Sequence, residues 1–574
     1  MRAQTSRPAW LSIAASTILI LSLPLVAVAG NPQSGFKTLQ PAMLAVGPDA
    51  PAGMEIKPII TVGDSIGAYT YAAVPDGISW YQTEKNTATV FVNHETSTVP
   101  FPYPGTSAAN DFDNSQVSQL ELRSGGAVLS ASTIIPSSAN YQRFCSNFLG
   151  TASTGFSRPI LFNNEEGIDW VNDSGPAWTS SPSLEGAAGA HQIGAVVAYD
   201  VNANAYRTIW GMGRLNHENN VAVPGYGKPV LLSGDDSFNQ VAAQSQLYAY
   251  LADDANAVWN DTGDLWAFAP NEAFSTINDY FDFPVGSSMS ISGKFVKVPK
   301  DIATGKDGTG KELMSGDVGY PTPPADGTWQ RPPGTTTGPG IDGPQWVLEH
   351  WGDQAANNVF QFLRIEDIAT DKRPGMSNVV YLADSGRGLR PTDTPPASQG
   401  FRSTNGRIWK MVLDPADPTK VLSLSILIEG DDNPVKTPGE IHQPDNLETT
   451  LNGLYILEDP GSSQSFTPAQ QVSDAARATT ARVWQYRFAD LAQGVMAKVD
   501  QFADEGPTDV DPSGLSRWGD WESTGIVDVS SIFGPGKFLI NIQAHTLWIE
   551  KSAATGWTNK REGGQMLLIT IPGG

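Results

Sequence analysis

Apolar and polar positions along this chain fall into short blocks. Runs such as TVFVNHE (89–95), PILFNNEE (159–166), GAVVAYDV (194–201), KPVLLSGDD (228–236) and NVVYLADSG (378–386) are followed by GRIWKMVLD (406–414), NGLYILEDP (452–460), ARVWQYRF (481–488), KFLINIQ (537–543) and QMLLITI (565–571). Each has a core rich in Val, Ile, Leu, Tyr and Phe and is bounded by Gly, Pro, Asn or Asp, which predicts short β-strands. Helical periodicity is rare, with 468–482 and 237–253 the best windows for it. Many short strands at this spacing predict an all-β fold: a sandwich, a barrel or a β-propeller. At 574 residues the propeller is favoured, because it grows by adding units that bury their faces against neighbours. The apolar runs end in acids at Glu95, Glu165–Glu166, Asp235–Asp236, Asp384 and Glu458–Asp459, an irregular repeat that leaves the number of units open.

Composition refines this picture. The chain is turn-rich, with 57 Gly and 42 Pro, yet its 9% aromatic content is too high for a disordered chain. Residues 272–344 differ from the rest, since their second half is dense in Gly, Pro, Thr and Asp; this reads as a long insertion or surface loop within a single domain spanning 30–574. A formal charge of -24 repels phosphate backbones, so nucleic acid is not an expected partner. Arg2 and Arg7 precede an apolar run that ends in Ala27-Val28-Ala29, the pattern of a signal peptide over residues 1–29 with cleavage after Ala29. A secreted or periplasmic protein without a stable membrane anchor is expected.

Cys145 is the only cysteine. In an exported protein a lone cysteine is a buried thiol, an intermolecular bond or a ligand. Acids beside amides, histidines or glycines recur in Asn93-His94-Glu95, Asn164-Glu165-Glu166, Asn216-His217-Glu218-Asn219, Arg364-Ile365-Glu366-Asp367, Pro444-Asp445-Asn446 and Glu522-Ser523-Thr524-Gly525. Taken singly, each reads as a turn, and His94 and His217 read as structural. Together, one acid per unit at the same strand end would form a ring of carboxylates that needs cations to neutralise it. Calcium suits oxygen donors, and a thiolate adds a softer metal such as iron or zinc.

The order of these pieces resembles the PhoX-type alkaline phosphatases over most of the mature chain. The likeness runs from PDGISWYQTEKNTATVFVNHE (75–95) through FCSNF (144–148), NNEEG (163–167), GRLNHENN (213–220), LLSGDD (231–236), QLYAYL (246–251) and FLRIEDI (362–368). It continues with DSGRG (384–388), GRIWKM (406–411), QPDNLETTLNGLYILEDP (443–460) and WESTGIVDVSSIFGPGKFLINIQAH (521–545). The resemblance implies a six-bladed propeller holding iron and calcium, and hydrolysis of a small-molecule phosphate ester. By motif it implies metal ligation by Glu95, Cys145, Glu166, Glu218, Glu366, Asp445 and Glu522, with Glu165 competing for the role of Glu166. Arg364 is implied as the phosphate-binding side chain, since a guanidinium can clamp two phosphate oxygens. Arg2 and Arg7 are not adjacent, a departure from the family's twin-arginine signal. Asn147 and Asn219 stand where the family often has glycine. Alternatives are a calcium-dependent phytase-like or lactonase-like propeller hydrolase and a non-catalytic, calcium-braced binding propeller.

Overall fold

The computed structural model describes residues 35–96, 114–167, 170–172, 189–237, 243–317, 343–386, 405–430, 439–459, 479–501, 503, 521–548, 551–552, 556–557 and 560–574. The proposed signal peptide lies outside them. Among the described residues no helix is long and apolar enough to cross a membrane.

The chain is mostly strand, with few short helices, as the block pattern predicts. Pro75–Glu84, Thr87–His94, Gln116–Arg123 and Val128–Ile135 pair in order into a first antiparallel sheet, and Phe144–Gly150, Ile160–Glu165, Val196–Asp200 and Ala205–Ile209 into a second. A nine-stranded sheet follows. It runs outward through His217–Ala222, Val230–Asp235, Leu247–Leu251 and Asp264–Pro270, crosses Ser290–Lys297, and returns through Asp417–Glu429, Arg407–Asp414 and Val379–Asp384 to Ile365–Thr370. The next sheet holds Pro444–Thr449, Gly453–Glu458, Arg482–Arg487 and Gln493–Val499, with Leu44–Val46 added at its edge. The last holds Trp521–Asp528, Lys537–Trp548 and Lys560–Thr570, and is completed by Glu55–Thr61 from the other end of the sequence.

If the nine-stranded sheet is divided at Ser290–Lys297, there are six units. The first strand of each packs against the first strand of the next, and Trp521–Asp528 returns to Pro75–Glu84, so these inner strands close a ring. A separate apolar cluster fills each interface between neighbouring units. Leu231 belongs to one such cluster and Leu232 to the next; Leu161 and Phe162, and Ile456 and Leu457, divide in the same way. Successive strand residues face opposite sides, so a sheet covered on both faces needs continuous apolar runs rather than strict alternation. That is the physical origin of the blocks seen in the sequence.

Two expectations are revised. The window 237–253 contains the strand Leu247–Leu251 rather than a helix, because a strand buried on both faces carries apolar residues at helical spacings as well. Within 272–344, Ser290–Lys297 pairs on both edges, so this part of the insertion joins two units instead of forming a loop. The Pro344–Asp353 helix buries Trp346, Val347 and Leu348 in the core between the second and third units. The window 468–482 lies outside the described residues except for its last four, and Arg482 begins a strand.

Close approach of the inner strands depends on glycine. A Cβ at Gly77 would lie 2.3 Å from the Asn147 backbone nitrogen, and one at Gly525 (φ +44°) 2.2 Å from the Asp76 carbonyl oxygen. Gly77→Ala is therefore expected to destabilise the chain by about 1–3 kcal/mol through forced backbone displacement. Urea unfolding measures this, and an unchanged midpoint would contradict the close packing.

Candidate metal centre

Every inner strand carries a β-bulge at the same height. Register slips between Pro75 and Ile78, between His217 and Asn220, between Ile365 and Ile368, and between Pro444 and Leu447. In the second unit Cys145 and Ser146 lie opposite the single residue Asn164, and in the sixth the extra residue is Gly525. A bulge re-aims the side chain that begins it. The residues that begin these bulges are Asp76, Cys145, Glu218, Glu366 and Asp445, with Thr524 at the sixth position.

These side chains converge with others from the ends of the second strands. Ligand atoms of Asp76, Glu95 and Cys145 lie within 4.8 Å of one another, as do those of Cys145, Glu166 and Glu218, and those of Glu218, Glu366 and Asp445. Cys145 and Glu218 each belong to two groups, so the three groups form one continuous array. Cys145 Sγ is 2.7 Å from Asp76 Oδ2 and 2.9 Å from Glu218 Oε1. Glu95 Oε1 accepts from Gln543 Nε2 at 2.8 Å, and Glu366 Oε1 from Ser385 Oγ at 2.5 Å.

The structure thus brings together Glu95, Cys145, Glu166, Glu218, Glu366 and Asp445. Glu522 belongs to none of the three groups, but its charge acts on Asp445. It sits two residues before Thr524, at the strand level that Arg364 occupies before Glu366. Asp76 is a member that sequence reasoning missed, because it opens the 75–95 stretch inside the strand Pro75–Glu84 rather than at the end of one of the apolar blocks. Only the repeat of one bulge per inner strand singles it out.

Glu165 and Glu166 divide by strand alternation. Glu165 turns into its own sheet, where its carboxylate accepts from the backbone N–H groups of Gln142 (2.9 Å) and Ala195 (3.3 Å). Asp384 and Glu458 do the same: Asp384 accepts from Leu363 and Arg364, and Glu458 from His442 and Arg482. The acids that follow Glu165, Asp235 and Glu458, namely Glu166, Asp236 and Asp459, act electrostatically on the members of the array instead. His94 and His217 bond Ser118 Oγ and Ser233 Oγ and are neutral in the core, their pKa values lowered by burial to about 3 and about 4.

Arg364 forms a two-point contact with Asp236, Nε to Oδ1 at 2.5 Å and Nη2 to Oδ2 at 2.6 Å, and its Nη2 lies 3.0 Å from Glu366 Oε1. Arg143 also acts on Glu166. These cations do not balance the array. Burial, then neighbouring carboxylates, push Glu166, Glu218 and Asp445 well above the usual carboxylate range, and burial does the same to Glu366 despite Arg364. Burial followed by Asp76 and Glu218 raises the Cys145 thiol. The donor set fits bound cations: oxygens for hard ions, with one sulfur in two of the three groups for a softer one.

No family model matches this chain, and neither does any curated protein. Among solved structures, a protein of unknown function from Dyadobacter fermentans is similar at 8% identity, over 91% of this chain and 100% of its own, with a TM-score of 0.35. A likeness at that score carries no argument about fold or function.

Raised folded-state pKa values give a stability that is complete below the ordinary carboxylate value and lost as pH rises through the folded value. Metal-depleted protein is therefore expected to melt at a lower temperature at pH 8.5 than at pH 6.5. The two buried histidines, neutral in the folded protein throughout, oppose this only through the small part of their titration near pH 6.5 in the unfolded chain. Calcium plus iron should reverse the loss, adding about 2.7 kcal/mol at a hundredfold excess over Kd. Equal melting temperatures at both pH values, unmoved by either ion, would show that the array is not a cation site. Glu166→Gln is expected to lower metal content, measured by elemental analysis, whereas Glu165→Gln lowers the melting temperature even in the ion-free protein.

Proposed function

We propose that the six units are the blades of a β-propeller and that the protein is a secreted or periplasmic, PhoX-like phosphoesterase dependent on calcium and iron. The observation that carries this reading is the continuous donor array, in which a buried thiol and carboxylates from all but one of the units meet on the ring axis. Residues far apart in sequence would not share so costly an environment without bound ions to neutralise them. The likeness of the ordered sequence motifs to the PhoX family then supplies the reaction class.

Asp76, Glu95, Cys145, Glu166, Glu218, Glu366 and Asp445 are the residues that would hold the ions, with Glu522 beside Asp445. When bound, such ions act as Lewis acids toward a phosphoryl oxygen. Arg364 is the side chain suited to receive the phosphate group. It stands at the edge of the array with 22% of its side chain exposed, and its charge is fixed. Its backbone N–H is tied to Asp384 Oδ1 at 3.0 Å, so its position does not depend on substrate. Asn93 supports the cysteine strand by donating to the carbonyls of Cys145 (3.0 Å) and Ser146 (3.1 Å). A calcium-only hydrolase is the weaker reading, since Cys145 sits centrally among the donors and calcium gains little from sulfur.

Protein loaded with calcium and iron is expected to hydrolyse a chromogenic phosphomonoester and to lose that activity in chelator; absence of hydrolysis under any metal loading would refute the assignment. Arg364→Ala should weaken inhibition by inorganic phosphate about 30-fold, the equivalent of about 2 kcal/mol for a lost charge-assisted hydrogen bond. Cys145→Ser should lose iron by elemental analysis while keeping its circular dichroism spectrum.

A further inference from the structure

The guanidinium of Arg364 is already committed along one edge. Nε and Nη2 meet the two oxygens of Asp236 side by side, and Nη2 also meets Glu366. Asp236 is itself fully buried, and its backbone N–H donates to the Asn216 carbonyl at 3.0 Å. Asp236 is absent from all three donor groups, although it ends the same kind of apolar run as Glu95 and Glu166. Its two oxygens are spent on the arginine instead. The backbone of Arg364 is equally constrained, with its N–H on Asp384 and its carbonyl accepting from Ser385 N–H at 3.0 Å. Both ends of a long, flexible side chain are thus held before any ligand arrives. The hydrogen bonds of Arg364 to described residues leave Nη1 as its remaining donor group.

We propose that Asp236 is a positioning residue, which fixes the plane of the Arg364 guanidinium so that its Nη1 edge, rather than the Nε–Nη2 fork, meets the phosphate. This rests on the reading of Arg364 as the anion-binding side chain, and it alters the two-oxygen clamp expected from sequence. A guanidinium held by a buried carboxylate loses little freedom on binding, and that lowers the cost of each contact it makes. Without Asp236 the guanidinium keeps only its Nη2 contact with Glu366 and can rotate about it. The effect belongs to anion affinity and orientation, not to metal content.

The test is a double-mutant cycle on metal-loaded protein, with inorganic phosphate as the probe in calorimetric titration and metal content measured in parallel. Asp236→Asn is expected to keep the metal, to weaken phosphate binding about tenfold, and to have little further effect in an Arg364→Ala background. Should that variant fail to fold, Asp236→Glu, which keeps the charge but shifts it by one methylene, carries the same comparison with a smaller expected loss. Loss of metal in Asp236→Asn would make Asp236 a ligand and overturn the proposal. Tighter phosphate binding would overturn it too, by making Asp236 a competitor for the arginine. So would equal losses with and without Arg364. Parental phosphate affinity in Arg364→Ala alone would instead defeat the underlying role of Arg364, a result separate from any outcome at Asp236.

Discussion

Mutual repulsion among buried carboxylates on the ring axis is the constraint around which this structure is built. Asp76, Glu95, Glu166, Glu218, Glu366 and Asp445 are held close together, beside a buried thiol, by inner strands that pack against one another around the ring. Burial raises the pKa of Glu166, Glu218 and Asp445, and neighbouring carboxylates raise it further. The apolar clusters between units resist that repulsion, because separating the acids would require opening an interface on either side. The fold supplies rigidity, and the acids supply a demand for positive charge.

The bulges connect these two roles. A regular inner strand would send alternate side chains into the flanking apolar clusters and leave none for the axis. One extra residue at a single height releases two adjacent positions from the ladder in five of the strands. The first carries the acid or the thiol. The second, such as Asn219, Asp367 or Asn446, ties one inner strand to the next: Asn219 Nδ2 donates to Asp367 Oδ1 at 2.5 Å, and Thr524 Oγ1 to Asn446 Oδ1 at 2.7 Å. The same local irregularity therefore builds the site and closes the ring. In the sixth strand the bulge begins with Thr524, and the acid is displaced to Glu522, so the array is lopsided. Arg364 occupies the level of Glu522 two units away, where it is paired with Asp236 and Glu366.

Some acids that look alike in sequence do opposite work. Glu165 and Glu166 are neighbours, yet one anchors backbone N–H groups and the other faces the axis. Asp235 and Asp236 divide similarly: Asp235 lies within a strand, and Asp236 holds Arg364. Dipeptides of this kind let a strand end both cap its own sheet and contribute to a shared site.

The sequence alone determined the strand-rich class, the approximate strand positions and, Asp76 apart, the acids from which the array is drawn. Those features are local: an apolar block bounded by turn residues needs no knowledge of its neighbours, and Cys145 stands out by being single. The order of motifs also carried a family likeness, and with it Glu95, Cys145, Glu166, Glu218, Glu366, Asp445 and Glu522 as a group. Tertiary structure alone decided which acid of each pair faces inward, that Asp76 joins the array while Glu522 stands at its margin, and that Asp236 grips Arg364. Those outcomes depend on bulge register and on the meeting of strands hundreds of residues apart, and a one-residue shift in register would reverse every side chain without changing the apolar pattern.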